Sequence, residues 1–339
     1  MKSFEISIDG LKLSLSTWGA SALQLQYQQF PFSVLCGLPD RLYPTHAQHF
    51  GAVAGPVANR IAHATAMLED RPLAFEANEG QNCLHSGSNG LGRREWDLAQ
   101  HTDTSVLFSI EQADGEDGFP GNRVFTAQYI LSEDSQHNTH QLEVVLGMQT
   151  DMPTYCNMAF HPYFCLDGTG SILGHELAIA AYGYLEKNSE KLPTGRILDM
   201  ANSEFDFSDP QPLKMLAEPD RDVLDHHFCL NSAEQQPPLS DNQTMTVARL
   251  YSPVSGISMV VETNQRGLQI YCPRRLPDEL VSRCNTPFQA FPSICIEPHM
   301  WPDAPNHNHF PSILVTPETA YLNRSVFRFS ADSLSANQA

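Results

Sequence analysis

Apolar residues recur at every second position through much of the chain. Phe4, Ile6 and Ile8 alternate with polar residues, Asp9-Gly10 interrupts, and Leu11, Leu13 and Leu15 resume the pattern. In an extended strand successive side chains point to opposite faces, so each such run predicts one face on a core. Asp-Gly between two such runs predicts a two-residue hairpin, whose type I′ turn needs positive φ at both central positions. Period two returns at Val106, Phe108 and Ile110, at Leu142, Val144, Leu146 and Met148, and at Met245 and Val247. It appears again at Ile257, Met259 and Val261, at Leu268 and Ile270, and in the final run through Val326-Phe327-Arg328-Phe329 to Ala331.

Helical periodicity is scarce. Only short stretches qualify, Leu213 to Ala217 and Pro287 to Phe291, because breakers interrupt every longer run. Glycine and proline punctuate the connections, as in Asp114-Gly115-Glu116-Asp117-Gly118-Phe119-Pro120-Gly121. Asn231 to Asn242 reads as a surface loop, since the strand patterns on its two sides are alike. No repeat of solenoid period occurs. The pattern predicts an all-β protein, a large antiparallel β-sandwich of two packed sheets, with residues 1–339 as a single domain.

Composition narrows the function classes. The formal net charge of −19 opposes binding to nucleic acid or an anionic membrane surface, and argues against a strongly anionic substrate. No apolar run approaches the roughly 20 residues of a membrane helix. The start, Met1 to Gly10, alternates instead of forming the apolar block of a signal peptide. The eight cysteines form no C-x-x-C, and most have apolar neighbours, which points to a reducing compartment and a cytoplasmic location.

Three residues carry candidate chemistry. His85, in Asn82-Cys83-Leu84-His85-Ser86-Gly87, stands at a strand end before a Gly-rich turn, facing a cleft or serving as a hydrogen-bonded structural histidine. His161 is surrounded by Phe160, Tyr163 and Phe164, and Pro162 restricts its backbone to the extended region. An aromatic pocket of this kind shifts an imidazole pKa and stacks on a sugar face; the alternative is a core histidine. Glu297 shares one strand face with Ser293 and Cys295, while Ile294 and Ile296 share the other. It is a general base poised by burial or half of a structural ion pair.

Four further residues are candidate ligands for a polar substrate. Arg60, after Asn59 in a small apolar run, reaches a sugar hydroxyl or a structural carboxylate. Asp225 is a hydroxyl acceptor or a turn residue, and Gln269 faces solvent or a cleft. His46 with His49, His226 with His227, and His307 with His309 lack a metal-ligand frame such as H-E-x-x-H, so no catalytic metal is expected. No G-x-S-x-G, Walker or dinucleotide motif is present, and no cofactor is expected.

The ordered set of motifs resembles the aldose 1-epimerase (galactose mutarotase) family. Ala58-Asn59-Arg60-Ile61, Asn82-Cys83-Leu84-His85-Ser86-Gly87, Phe119-Pro120-Gly121, His161-Pro162-Tyr163-Phe164, Asp225-His226-His227-Phe228, Gln269-Ile270-Tyr271 and Glu297 to Asn306 match in sequence order. The resemblance implies a β-supersandwich with a sugar cleft, and interconversion of the α and β anomers of a free hexose. It implies Glu297 as the base at the C1 hydroxyl and His161 as the acid at the ring oxygen. His85 would polarise the ring oxygen, and Asn59, Arg60, Asp225 and Gln269 would hold hydroxyls. Glu297 should then start ionised and His161 protonated. The expected partner is a small-molecule sugar, with the protein a monomer or homodimer.

Ser86 in place of a glycine, Pro56, Pro162 and His299-Met300-Trp301 depart from the family pattern. Two other readings stay open. A hexose-6-phosphate epimerase would need cations at the phosphate, for which Arg93, Arg94, Arg274 and Arg275 are candidates. A sugar-binding protein without turnover would not require the His85, His161 and Glu297 set.

Overall fold

The computed structural model describes residues 1–28, 30–46, 48–219, 221–230 and 243–332. The Asn231 to Asn242 loop lies outside them. The fold is all-β: strand makes up 46% of the chain, and no helix among the described residues reaches 7 residues. The largest sheet has nine strands. Ile257–Thr263, Tyr321–Ala331, Thr139–Thr150, Arg123–Asp134 and Ser105–Gln112 run side by side in that order. A second sheet has six strands, in the order Tyr163–Phe164, Ile294–Pro298, Gly267–Tyr271, Asp225–Cys229, Gly183–Lys187 and Pro193–Asp199. Neighbours in both sheets are antiparallel.

The alternation read from the sequence decides which face is buried. Phe125, Ala127, Tyr129, Leu142, Val144, Leu146, Phe327 and Phe329 of the large sheet share one core with Phe228, Leu268, Ile270, Ile294 and Ile296 of the smaller sheet. Each large apolar side chain buried there contributes about 1.5–3 kcal/mol, against about 1 kcal/mol net for a ladder hydrogen bond. Side-chain packing between the sheets therefore does most to hold them together. It also leaves the odd-numbered positions Cys295 and Glu297 on the other face of their strand.

The Ser3–Ile8 and Leu11–Ser16 strands form the expected hairpin, with Ile8 opposite Leu11. Its turn is not type I′, because Gly10 takes φ +80° while Asp9 does not enter the positive-φ region. Leu213–Ala217 is a 3₁₀ segment of five residues. Pro287 to Phe291 is not helical: Pro287 bridges Val281, and Phe291 has φ +50°. A proline donates no N–H, and a left-handed residue breaks the helical repeat, so the apolar spacing there was coincidental.

Candidate active site

Three neighbouring strands supply the floor of a cleft. Glu297 and Gln269 are opposed across the ladder between Ile294–Pro298 and Gly267–Tyr271. Gln269 Nε2–H donates to Asp225 Oδ1 on the next strand at 2.9 Å, and Asn59 Nδ2–H donates to Gln269 Oε1 at 3.1 Å. Gln269 thus faces the cleft, and its amide is oriented from both ends.

His161 lies between the Ala159–Phe160 and Tyr163–Phe164 strands. Its N–H donates to the Ala52 carbonyl, and its own carbonyl accepts from Gly51, both at 2.9 Å. The ring stacks on Tyr163 with centroids 5.2 Å apart, and Tyr163 stacks on Phe50 at 4.1 Å. This stack fixes the imidazole, and Nε2 lies 3.5 Å from Glu297 Oε1. Both residues are buried, and Glu297 is 2% exposed.

His85 follows the Cys83–Leu84 strand with φ +51°. Its N–H donates to the Asn59 carbonyl at 3.0 Å, and the Asn59 N–H donates to His85 Nδ1 at 3.2 Å. A nitrogen that accepts carries no proton, so the hydrogen of the neutral ring sits on Nε2. The ring is 5.5 Å from that of His161. Arg60 resolves its alternatives in favour of a carboxylate: Nε and Nη2 donate to Glu79 at 2.6 and 2.8 Å. Arg60 also lines the cleft.

The cleft encloses about 500 Å³, and Asn59, Arg60, His85, Asp225, Gln269 and Glu297 all line it. That volume is in the range of small-molecule sites. Six of the seven candidate residues therefore share one hollow, and the seventh, His161, contacts Glu297 at its edge.

Burial dominates the electrostatics. It pushes Glu297 well above the usual carboxylate range, and the Asp225 charge adds to the shift. Burial lowers His161 to about 4. His85 is driven well down, first by burial and then by His49 and His161. Burial thus pushes both members of the His161–Glu297 pair toward their neutral forms, unlike the ionised glutamate and protonated histidine expected from the sequence. The two arrangements hold the same single proton and differ only in which partner carries it.

The departures from the family pattern fall mostly behind the cleft. Ser86 Oγ accepts from the Val57 N–H at 2.8 Å and donates to the Val57 carbonyl at 3.0 Å, tying two loops together. His299 is fully buried and packs on His227 with rings 4.9 Å apart. Trp301 Nε1–H donates to the Arg266 carbonyl.

Of the four arginines considered for a phosphate, Arg94 is paired with Glu116 and Asp117. Arg274 donates to the Arg221 carbonyl and lies over Phe291. Only Arg93 lines the cleft. Metal-capable donors gather among the described residues as His161, Cys295 and Glu297, and as Cys165, Asp167 and His175. None of the paired histidines noted in the sequence is part of either group.

Four residues outside the seven candidates, His49, Glu79, Lys191 and Tyr271, also line the cleft, although the sequence analysis named His49 only as half of a histidine pair and Tyr271 only within a motif. His49 has φ +51°, and its ring lies 4.7 Å from that of His85. Tyr271 was legible in principle, since it follows Gln269 by two positions and shares its strand face. Nothing around Glu79 or Lys191 signals their roles.

Comparison with known proteins identifies the family to which this fold belongs. The sequence profile of the family "Aldose 1-epimerase" matches residues 2–328. A galactose mutarotase of Bos taurus is 32% identical over 338 residues, covering 97% of this chain and 94% of the relative. An aldose 1-epimerase of Haemophilus influenzae is 31% identical over 308 residues, covering 88% and 86%. Among solved structures, an aldose epimerase homologue from C. elegans superimposes with a TM-score of 0.87 at 26% identity, covering 98% of this chain and 99% of that one. A galactose 1-epimerase from Lactobacillus acidophilus, at 19% identity and a TM-score of 0.80 over 98% and 100%, shows the same fold. With the profile matching nearly end to end, the chain belongs to the aldose 1-epimerase family, isomerases that act on carbohydrates.

Proposed function

We propose that this protein interconverts the α and β anomers of a free hexose by acid–base ring opening, with Glu297 and His161 moving the protons. The observation that carries the residue assignment is the 3.5 Å separation of His161 Nε2 and Glu297 Oε1 at one sugar-sized cleft. In the reactive arrangement Glu297 takes the proton of the C1 hydroxyl and His161 gives its proton to the ring oxygen. The C1–O5 bond breaks and C1 becomes an aldehyde carbon. Rotation about C1–C2 presents the other carbonyl face. Closure returns the proton from O5 to His161 and the proton from Glu297 to O1, so no net proton is gained or lost.

Burial favours the neutral pair before sugar binds. Reaching the charge-separated arrangement needs one proton to cross a short gap inside the pair, not an exchange with solvent. His85 Nε2–H is the donor for the ring-oxygen region, its tautomer held by Asn59. Asp225 keeps lone pairs for hydroxyls beyond the bonds it already accepts. Asn59, Gln269 and Arg60 complete the hydroxyl-binding set.

The eight cysteines all stand free, which supports a reducing compartment, the cytoplasm. No helix among the described residues is long and apolar enough to cross a membrane.

Polarimetry of freshly dissolved α-D-glucose and α-D-galactose tests the proposal, with Glu297→Gln and His161→Asn beside the wild type. Loss of acceleration in both variants is expected. Full acceleration by Glu297→Gln would refute its role as base. Faster turnover of glucose 6-phosphate than of glucose would move the assignment to a sugar phosphate, and tight galactose binding without acceleration would leave only a binding protein.

A further inference from the structure

We propose that Lys191 is a positioning residue for the acid–base pair, its ammonium holding the Asp225 carboxylate in place and offsetting the charge that carboxylate presents to Glu297. The proposal rests on the acid–base reading above. Lys191 lies on the connection between the Gly183–Lys187 and Pro193–Asp199 strands, far in sequence from every motif of the site. Its Nζ is 2.9 Å from Asp225 Oδ2, while Gln269 holds Oδ1 at the same distance. Both oxygens are thereby fixed, one by a neutral amide and one by a cation. Lys187 does not substitute, because its Nζ donates to the Asp225 backbone carbonyl and pairs with Asp222. Among the described residues, Lys191 makes the ion pair with the Asp225 side chain.

The loop is built to present this side chain. Lys191 has φ +63°, a sparsely populated conformation for a residue with a Cβ. Four hydrogen bonds hold it there. The Asn188 side chain accepts from the N–H groups of Glu190 and Leu192, the Lys191 N–H donates to the Asn188 carbonyl, and the Asn188 N–H donates to the Leu192 carbonyl. A left-handed residue is ordinary in a hairpin loop of this kind, and these bonds fix the point from which the Lys191 side chain leaves the backbone.

The consequence runs through a continuous chain. Lys191 bonds Asp225, Asp225 accepts from Gln269, Gln269 accepts from Asn59, and Asn59 fixes His85. Losing the ammonium loosens the Asp225 end of a network that orients the sugar and the His85 tautomer. It also exposes Glu297 to an unbalanced negative charge. The titratable groups around Glu297 are His161 and, on the Tyr163–Phe164 strand that pairs with its own, Tyr163, then Tyr271 from the strand paired on the other side and Cys295 from its own strand. Asp225 stands one strand further, and His49, His85 and the Glu79-paired Arg60 stand across the cleft. Asp225 is the one carboxylate of this set that raises Glu297.

The sign follows. The active pair holds one proton, and an added negative charge favours protonation at every step. Both limbs of the kcat/KM profile therefore move to higher pH when Lys191 is neutralised.

The test compares wild type, Lys191→Met and Lys191→Arg by polarimetry from pH 4 to 8, with galactose binding measured calorimetrically. In Lys191→Met both limbs should move up by about half a pH unit to one unit, less at high salt, since the lysine is half exposed. Galactose binding should weaken about 10-fold, and Lys191→Arg should restore most of both. A merely structural role would lower the height of the profile without moving it. Superimposable profiles and equal binding for Lys191→Met would overturn the proposal. If the wild type gave no acceleration, the catalytic reading would fail, and unchanged binding in Lys191→Met would still decide against Lys191.

Discussion

Gln269 faces Glu297 across an antiparallel ladder, and that register sets the proposed hydroxyl-binding amide beside the proposed base. The same pairing joins both to Asp225 and the second sheet's core, so the catalytic geometry follows from strand order more than from loops.

Removing either proton carrier should be costly to turnover and cheap in structure. Glu297→Gln and His161→Asn are each expected to reduce kcat/KM about 10²–10⁴-fold, the usual range for one positioned acid or base. Polarimetry measures the loss, and unchanged far-ultraviolet circular dichroism establishes that the fold is kept.

Glu297→Gln should also melt higher than wild type at pH 8. The glutamate's folded pKa is raised above its unfolded value by burial, so its contribution to stability is present below the unfolded value and is lost as pH rises through the folded one. A neutral amide of the same shape has no such loss. A gain of roughly 1–4 °C at pH 8, shrinking toward pH 5, is expected in scanning calorimetry. A lower Tm at pH 8 would contradict it.

Acid should unfold the protein early. Burial lowers His46, His161, His226 and His299 to about 4 and His49 to about 3. Each histidine binds more protons unfolded than folded between its ordinary value near 6.5 and its folded value. Their stability is present above about pH 6.5 and is lost as pH falls toward 4. Thermal melts between pH 7.5 and 4.5 should show Tm falling most steeply below pH 6.5, and a flat Tm across that range would show that these imidazoles are not held neutral.

Gly92→Ala should perturb the cleft without touching a proton carrier. A Cβ there would stand 2.6 Å from His49 Nδ1 and 3.1 Å from the Val53 carbonyl. The imidazole must give way, and it lies against His85. KM for galactose is expected to rise several-fold, with a smaller fall in kcat; equal parameters would place His49 outside sugar recognition.

Glu79→Gln should act through Arg60. The guanidinium is buried and makes a bidentate pair that an amide cannot reproduce as an ion pair. A rise in KM of about 10-fold is expected, with the protein still folded.

Much of this was legible in the sequence because period-two patterning carries two messages at once. The alternation through Ile294, Ile296, Leu268 and Ile270 gave the core, and by the same rule placed Cys295, Glu297 and Gln269 opposite it. His85 was legible from its position before a glycine turn. Three other residues that line the cleft, His49, Glu79 and Lys191, were not. His49 and Lys191 reach it through left-handed backbone positions, which carry no compositional mark when the residue is not glycine. Glu79 matters only because Arg60 needs a counter-charge, and pairing across 19 positions leaves no periodicity. Protonation was also beyond reach, since it depends on how fully the sheets exclude water.

The Ile294–Pro298 strand, with isoleucines in the core on one face and the proposed base on the other, tolerates no shift of register. Insertion or deletion of a single residue would send the carboxylate into oil and a leucine-like side chain into the sugar. The side-chain phase of that strand is therefore locked by its core-facing isoleucines.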